Sequence, residues 1–190
     1  MAEQYIERLI TGLEDMSAVE LEQALPQAVD EIRTHLTGIA LSRVSLLLEK
    51  TIDKLLDVDA ADIIQQSPEI SDNFMELLWQ GIAELAQHSD DMQSVLQKTR
   101  DIHVNIEASD SPFRGSFSVI DGTLSGGSSF FHFRDEDYRI MGPTKVLLRL
   151  LTGQLPMGFS NPEIQTAGHS GFAAFVGPVV KGVASLIRER

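Results

Sequence analysis

The chain has 190 residues, a formal net charge of −13 and no cysteine. That length accommodates one domain with a sizeable core, or one domain with a large extension. The charge argues against nucleic acid, since no basic stripe is visible, and the lack of cysteine excludes disulfides, thiolate metal sites and a cysteine nucleophile.

The opening "MAEQYIERLI" lacks the basic-then-apolar build of a secretory signal, which makes the cytoplasm the expected location. The nearest approach to a membrane span, "FAAFVGPVVKGVASLI", is short and holds Lys181, so no transmembrane segment is expected, while transient membrane contact stays open. Nineteen acidic and seven basic side chains fall in residues 1–100, against nine and eight in the remainder. The acidity therefore belongs to the first half, and the composition shifts near "KTRD". The expected organisation is an acidic helical region over 1–100 and a second domain over 101–190.

In chain order, Tyr5, Ile6, Leu9, Ile10, Leu13 and Met16 recur at helical spacing, and "SAVE" then has the form of a capping box. A second helix starts there, with Pro26 limiting or kinking it. Val44, Leu47, Leu48, Ile52, Leu55 and Leu56 make the longest apolar stripe. "DAAD" and "SPEI" are further helix starts, the latter with Pro68 at a first helical position, and helices follow through "NFMELLWQGIAELAQ" and "DMQSVLQKT". These stripes read as core or as helix–helix contacts, and Trp79 with the leucines could pair helices across a homodimer.

After Arg100 the period changes. Ile102, Val104 and Ile106 alternate with His103, Asn105 and Glu107, a strand with one buried and one wet face. "GSFSVIDGTL" repeats the pattern and contains a hairpin turn at Asp121-Gly122. "GGSSFFHF" reads as a strand continuing past a glycine bulge, "DYRI" as a fourth strand and "PEIQTAG" as a fifth. The fold class expected is α+β: an all-helical first region, then a mostly antiparallel five-stranded sheet covered by helices.

The segment "DYRIMGPTKVLLRLLTGQ" poses the central question. Lys145, Arg149 and Thr152 form one narrow polar stripe, and Val146, Leu147, Leu148, Leu150 and Leu151 cover most of the rest. A helix lying on a sheet needs an apolar stripe only about 100° wide, so this one meets apolar material on a second side. A partner helix, a dimer interface and a bound lipid all satisfy that requirement. The closing segment, with Phe172, Phe175, Val176, Val179, Val180 and Val183 around Gly177-Pro178, raises the same choice between cavity wall and ordinary core.

Asp137, Ile140, Gly142, Leu147, Leu150, Leu151, Gly153, Ile164 and Gly168 fall in an order that resembles the sterol carrier protein 2 sterol-binding domain family over about residues 101–190. The resemblance implies an apolar tunnel between sheet and helices that takes fatty acyl, sterol or isoprenoid chains. It would place Phe131, Phe133, Leu147, Leu150, Leu151, Phe159, Phe172, Phe175 and Val179 around the ligand. It does not explain the acidic helices of 1–100, and the ending "IRER" is not a peroxisomal address. The family holds lipid carriers, domains appended to enzymes and accessory factors of ubiquinone assembly. The expected function is thus non-catalytic binding of a hydrophobic small molecule or lipid. The alternative is an accessory subunit whose acidic helices dock a partner enzyme.

No catalytic set emerges from the residues. The histidines at 35, 88, 103, 132 and 169 lack metal-ligand spacing, and His132 with Asp135 and Asp137 reads as a solvated turn. "GHSGF" departs from a nucleophile elbow at Phe172, and "SGGSS" lacks the lysine of a phosphate cradle, so Ser170 is read as a helix start. No metal and no cofactor is expected.

Overall fold

A computed structural model describes the chain except Met1, Ala18, Glu22, Pro26, residues 28–33 and 35–39, Phe133, Arg134, and residues 156–160 and 189–190. Helix α1 (Ala2–Gly12) buries Ile6, Leu9 and Ile10 and runs into a short 3-10 turn, Leu13–Asp15. The capping box then forms as its residues dictate: Glu20 N–H donates to Ser17 Oγ at 3.3 Å, and Glu20 Oε2 accepts from Ser17 N–H at 2.7 Å. The described residues among 19–27 are helical. Pro26 and His35 lie outside the described residues.

Among the described residues of the first half, four more helices follow: α2 (Leu41–Asp57), α3 (Ala60–Gln66), α4 (Glu69–Gln87) and α5 (Asp90–Lys98). Asp59 caps α3 by accepting from Asp62 N–H, and Ser89 caps α5 by accepting from Met92 N–H at 3.2 Å. Pro68 stands one position earlier than its spacing suggests, at the N-cap of α4.

Strands β1 (Ile102–Ala108), β2 (Arg114–Ile120), β3 (Thr123–Gly127), β4 (Tyr138–Gly142) and β5 (Gln165–Gly168) make one sheet in the order β3-β2-β1-β4-β5. Every pairing is antiparallel except β1 with β4. Asp121 and Gly122 join β2 to β3 with φ of 50° and 72°, the doubly positive turn that the Asp-Gly pair favours. Among the described residues the second half has two helices: α6 (Thr144–Leu151), between β4 and β5, and α7 (Ser170–Arg188), which closes the described chain.

Register puts Ile102, Val104, Ile106, Phe117, Val119 and Ile140 on one face, and all six are buried. Helix α4 from the acidic half lies over the β2–β3 side of that face. Its Trp79, 1% exposed, stacks on Phe117 at 4.9 Å between ring centroids, and Phe74 meets Phe113 at 6.0 Å. Gly126 makes this approach possible, because a Cβ there would fall 2.7 Å from the Trp79 indole. Trp79 is therefore a contact within one chain, which corrects its expected role in pairing helices across a dimer.

The opposite face is polar, and the residues after β3 are laid across it. The Asn105 side chain donates to Phe131 C=O at 3.0 Å and accepts from Phe131 N–H at 2.9 Å, while Ser116 Oγ donates to Ser129 C=O at 2.7 Å. The expected continuous strand through "GGSSFFHF" ends at Gly127 for this reason. Side chains, rather than a neighbouring strand, take the backbone groups that follow: Glu76 of α4 accepts from Ser128 N–H at 2.9 Å, and Ser116 and Asn105 on the sheet's polar face bond Ser129 and Phe131. Arg139 closes the layer by bonding Glu136 and Glu107 with its guanidinium over the Phe130 ring, and the Glu136 hydrogen bond leads the upward push on its pKa.

Candidate functional site

The leucine helix α6 buries Val146, Leu147, Leu148, Leu150 and Leu151. One side meets β4 and α7, and the second apolar side is covered by α2 and α3. The acidic half thus supplies what the leucines need, so a ligand is not required to cover that side. Apolar side chains of both halves belong to the same core cluster. Ser45 of α2 ties into it by donating to the carbonyls of Leu186 and Ile187 at 3.1 and 2.9 Å.

Helix α7 is long and apolar enough to cross a bilayer by length and composition. Its Val176, Val179, Val180, Val183, Leu186 and Ile187 are buried against the rest of the chain, while Gly171, Ala174, Pro178, Lys181 and Ser185 face outward, so that 39% of its most apolar stretch is buried. Its N-terminal end is capped from outside, His169 Nδ1 accepting from Gly171 N–H at 3.1 Å. Pro178 lies inside the helix and removes the donor that the Ala174 carbonyl would otherwise receive.

A cleft of about 860 Å³ opens between α5 and α7 and the C-terminal end of α6. Met92 and Val95 of α5 form one wall, Val180 and Leu186 of α7 the other, and Leu150 the end nearest α6. Gly182 sets the spacing of the walls, since a Cβ there would collide with the Met92 thioether. Gly153 ends α6 at φ 66°, with Gly153 N–H donating to Leu150 C=O at 3.0 Å, and a Cβ there would sit 3.0 Å from Ala184 on α7. The polar groups of the cleft are Ser89, Asp91, Lys181 and Ser185, of which Asp91, Lys181 and Ser185 are exposed.

Of the nine residues expected around a ligand, Leu147, Leu150, Leu151 and Val179 come together in the core, and Phe172 packs at its edge with the Arg100 guanidinium 5.0 Å above its ring. Leu150 is the one among the described residues that also lines the cleft. Phe131 sits on the polar face of the sheet against the His103 ring, and Phe175 is half-buried outside the core cluster. Phe133 and Phe159 lie outside the described residues. Met92, Val95 and Leu186 were hidden, and Val180 stood undecided between wall and core, because helical apolar spacing reads identically for a core and for a cleft wall.

Among the described residues no group of three histidine or acidic side chains is placed to hold a metal ion. Asp137, in the turn with His132, instead accepts from His103 N–H at 2.8 Å and faces the His103 ring at 3.4 Å.

No family model matches the chain, and no curated protein matches it in sequence. Among solved structures it is similar to "UbiJ-SCP2 Ubiquinone synthesis protein", at 12% identity over 62% of this chain and 98% of that one, with a TM-score of 0.46. It is also similar to sterol carrier protein 2 from Yarrowia lipolytica in its apo form, at 10% identity over 61% of this chain and 93% of that one, with a TM-score of 0.42. The sec-alkylsulfatase Pisa1 from Pseudomonas sp. aligns at 10% identity with 95% of this chain and 32% of its own, with a TM-score of 0.40. The chain's own topology is of the kind its sequence resemblance implies, a five-stranded, mostly antiparallel sheet covered by helices.

Proposed function

We propose that the protein is a non-catalytic binder of a hydrophobic ligand, whose apolar chain lies between α5 and α7 on Met92, Val95, Leu150, Val180 and Leu186. The observation that carries this reading is the cleft itself. At about 860 Å³ it has the capacity of an ordinary small-molecule site, and its walls are apolar with polar groups confined to a few positions. Each methylene moved from water onto such walls contributes about 0.8 kcal/mol, so a long chain binds without a polar anchor. Fatty acyl, sterol and isoprenoid ligands share this chemistry, and the resemblance to the sterol carrier protein 2 family supports the same class. The described lining offers no histidine and a single carboxylate, Asp91, which suits retention of a ligand better than its conversion.

Titration of the full chain with a fluorescent long-chain fatty acid is expected to show one saturable site, from which unlabelled lipid displaces the probe. Absence of saturable binding by fatty acyl, sterol and isoprenoid probes alike would overturn the reading.

A further inference from the structure

The two edges of the sheet differ. Strand β3 lies under α4, with Trp79 over Gly126 and Glu76 over Gly127. Strand β5 pairs with β4 on one side, all four of its residues are exposed, and among the described residues nothing bonds to its outer backbone edge. Sheets guard such an edge with lysine, proline, a bulge or a covering element. Gln165, Thr166, Ala167 and Gly168 pair with β4 in unbroken register and carry none of these guards.

The charges suit contact between copies at this edge. Of the 28 acidic side chains, Glu163 alone falls within residues 138–188, which hold five lysines and arginines. Two copies that each carry −13 repel over most of their surface. Along β5 and α7 there is no carboxylate to oppose a second copy.

We infer that β5 is a self-association edge: two copies of the chain pair β5 with β5, antiparallel, and join their five-stranded sheets edge to edge. Residues directly opposite in an antiparallel pair point to the same face, so the twofold axis passes through a residue and not between two. With the axis at Thr166, the two Thr166 side chains face each other, extending the row of Ile106 and Ile140 from both copies. Gln165 then faces Ala167, and Glu163 comes opposite His169 of the second copy. Both of these are exposed. His169 Nδ1 accepts from Gly171 N–H, which puts the ring proton on Nε2, where it can donate to the Glu163 carboxylate. The contact is isologous and stops at two copies. A four-residue edge buries little area, so the dimer forms and dissociates with concentration. It needs no ligand in the cleft.

Sedimentation velocity of the full chain over a wide range of concentration is expected to show the mass rising from one chain toward two. Thr166→Lys sets like charges against each other at the axis and should hold the protein at one chain, with its circular dichroism unchanged because the position is exposed. Thr166→Glu should do the same. An equal mixture of the two variants should pair again, since lysine then faces glutamate, a recovery that a merely structural effect of either substitution would not produce. Glu163→Ala should weaken the wild-type dimer about fivefold, the loss of two exposed contacts. A wild-type protein of single-chain mass at every concentration would overturn the inference. So would a Thr166→Lys protein that dimerises as tightly as the wild type, because the contact would then lie elsewhere, or a mixture of the lysine and glutamate variants that stays unpaired.

Discussion

Trp79→Ala is expected to destabilise the protein by about 3–5 kcal/mol, the range for removing a fully buried aromatic side chain. The indole joins the two halves of the chain: it leaves α4, stacks on Phe117 of β2 and fills the space over Gly126 of β3. Alanine would open a void between helix and sheet that the β2–β3 hairpin cannot close by itself. Chemical denaturation read by far-ultraviolet circular dichroism should show one transition displaced to lower denaturant. The indole N–H is buried without an acceptor among the described residues, so Trp79→Phe, which keeps a ring and deletes that donor, should cost much less. A Trp79→Ala protein of unchanged midpoint would mean that α4 does not hold the sheet.

The second large effect concerns the ligand. Val95→Trp is expected to weaken binding of a long-chain probe by more than about tenfold with little change in stability. Val95 is half-buried and lines the cleft, so an indole there fills space that the ligand would occupy without placing a charge in the core. Keeping two or three methylenes in water forfeits about 0.8 kcal/mol for each, which accounts for the size of the loss. Leu150→Asp would be a poorer test, because Leu150 is 3% exposed and belongs to the core as well as to the cleft, so unfolding and lost binding would coincide. Full affinity in a folded Val95→Trp protein would place the ligand somewhere else.

The parts of the fold that show in the sequence are those set by local chemistry. Ile102, Val104 and Ile106 alternate because one face of β1 is buried, and Asp121-Gly122 turns because both positions take positive φ. Ser17 and Glu20 announce a helix start that they build with their own side chains. What the sequence conceals is set by contacts distant along the chain. The segment after β3 leaves the sheet because the Asn105 amide, far earlier in the chain, bonds both backbone groups of Phe131.

The leucine helix is the clearest case. Its composition demands apolar cover on two sides, and nothing in the leucines says whether a lipid or a protein provides it. Helices α2 and α3 provide it, which also gives the acidic half a structural role that composition alone could not. The cleft is less legible still. Met92 and Val95 lie on one helix and Val180 and Leu186 on another, and only the tertiary fold sets the space between them. Periodicity marks apolar faces without measuring the gap between two of them.

The central claim, that the α5–α7 cleft holds a hydrophobic ligand, is tested most directly by native mass spectrometry of the full chain purified without added lipid, followed by organic extraction and identification of the extract. The account predicts a stoichiometric adduct that extraction removes and that is absent from the Val95→Trp protein. A wild-type protein that flies at its sequence mass, and takes up no long-chain lipid when one is supplied, would contradict it.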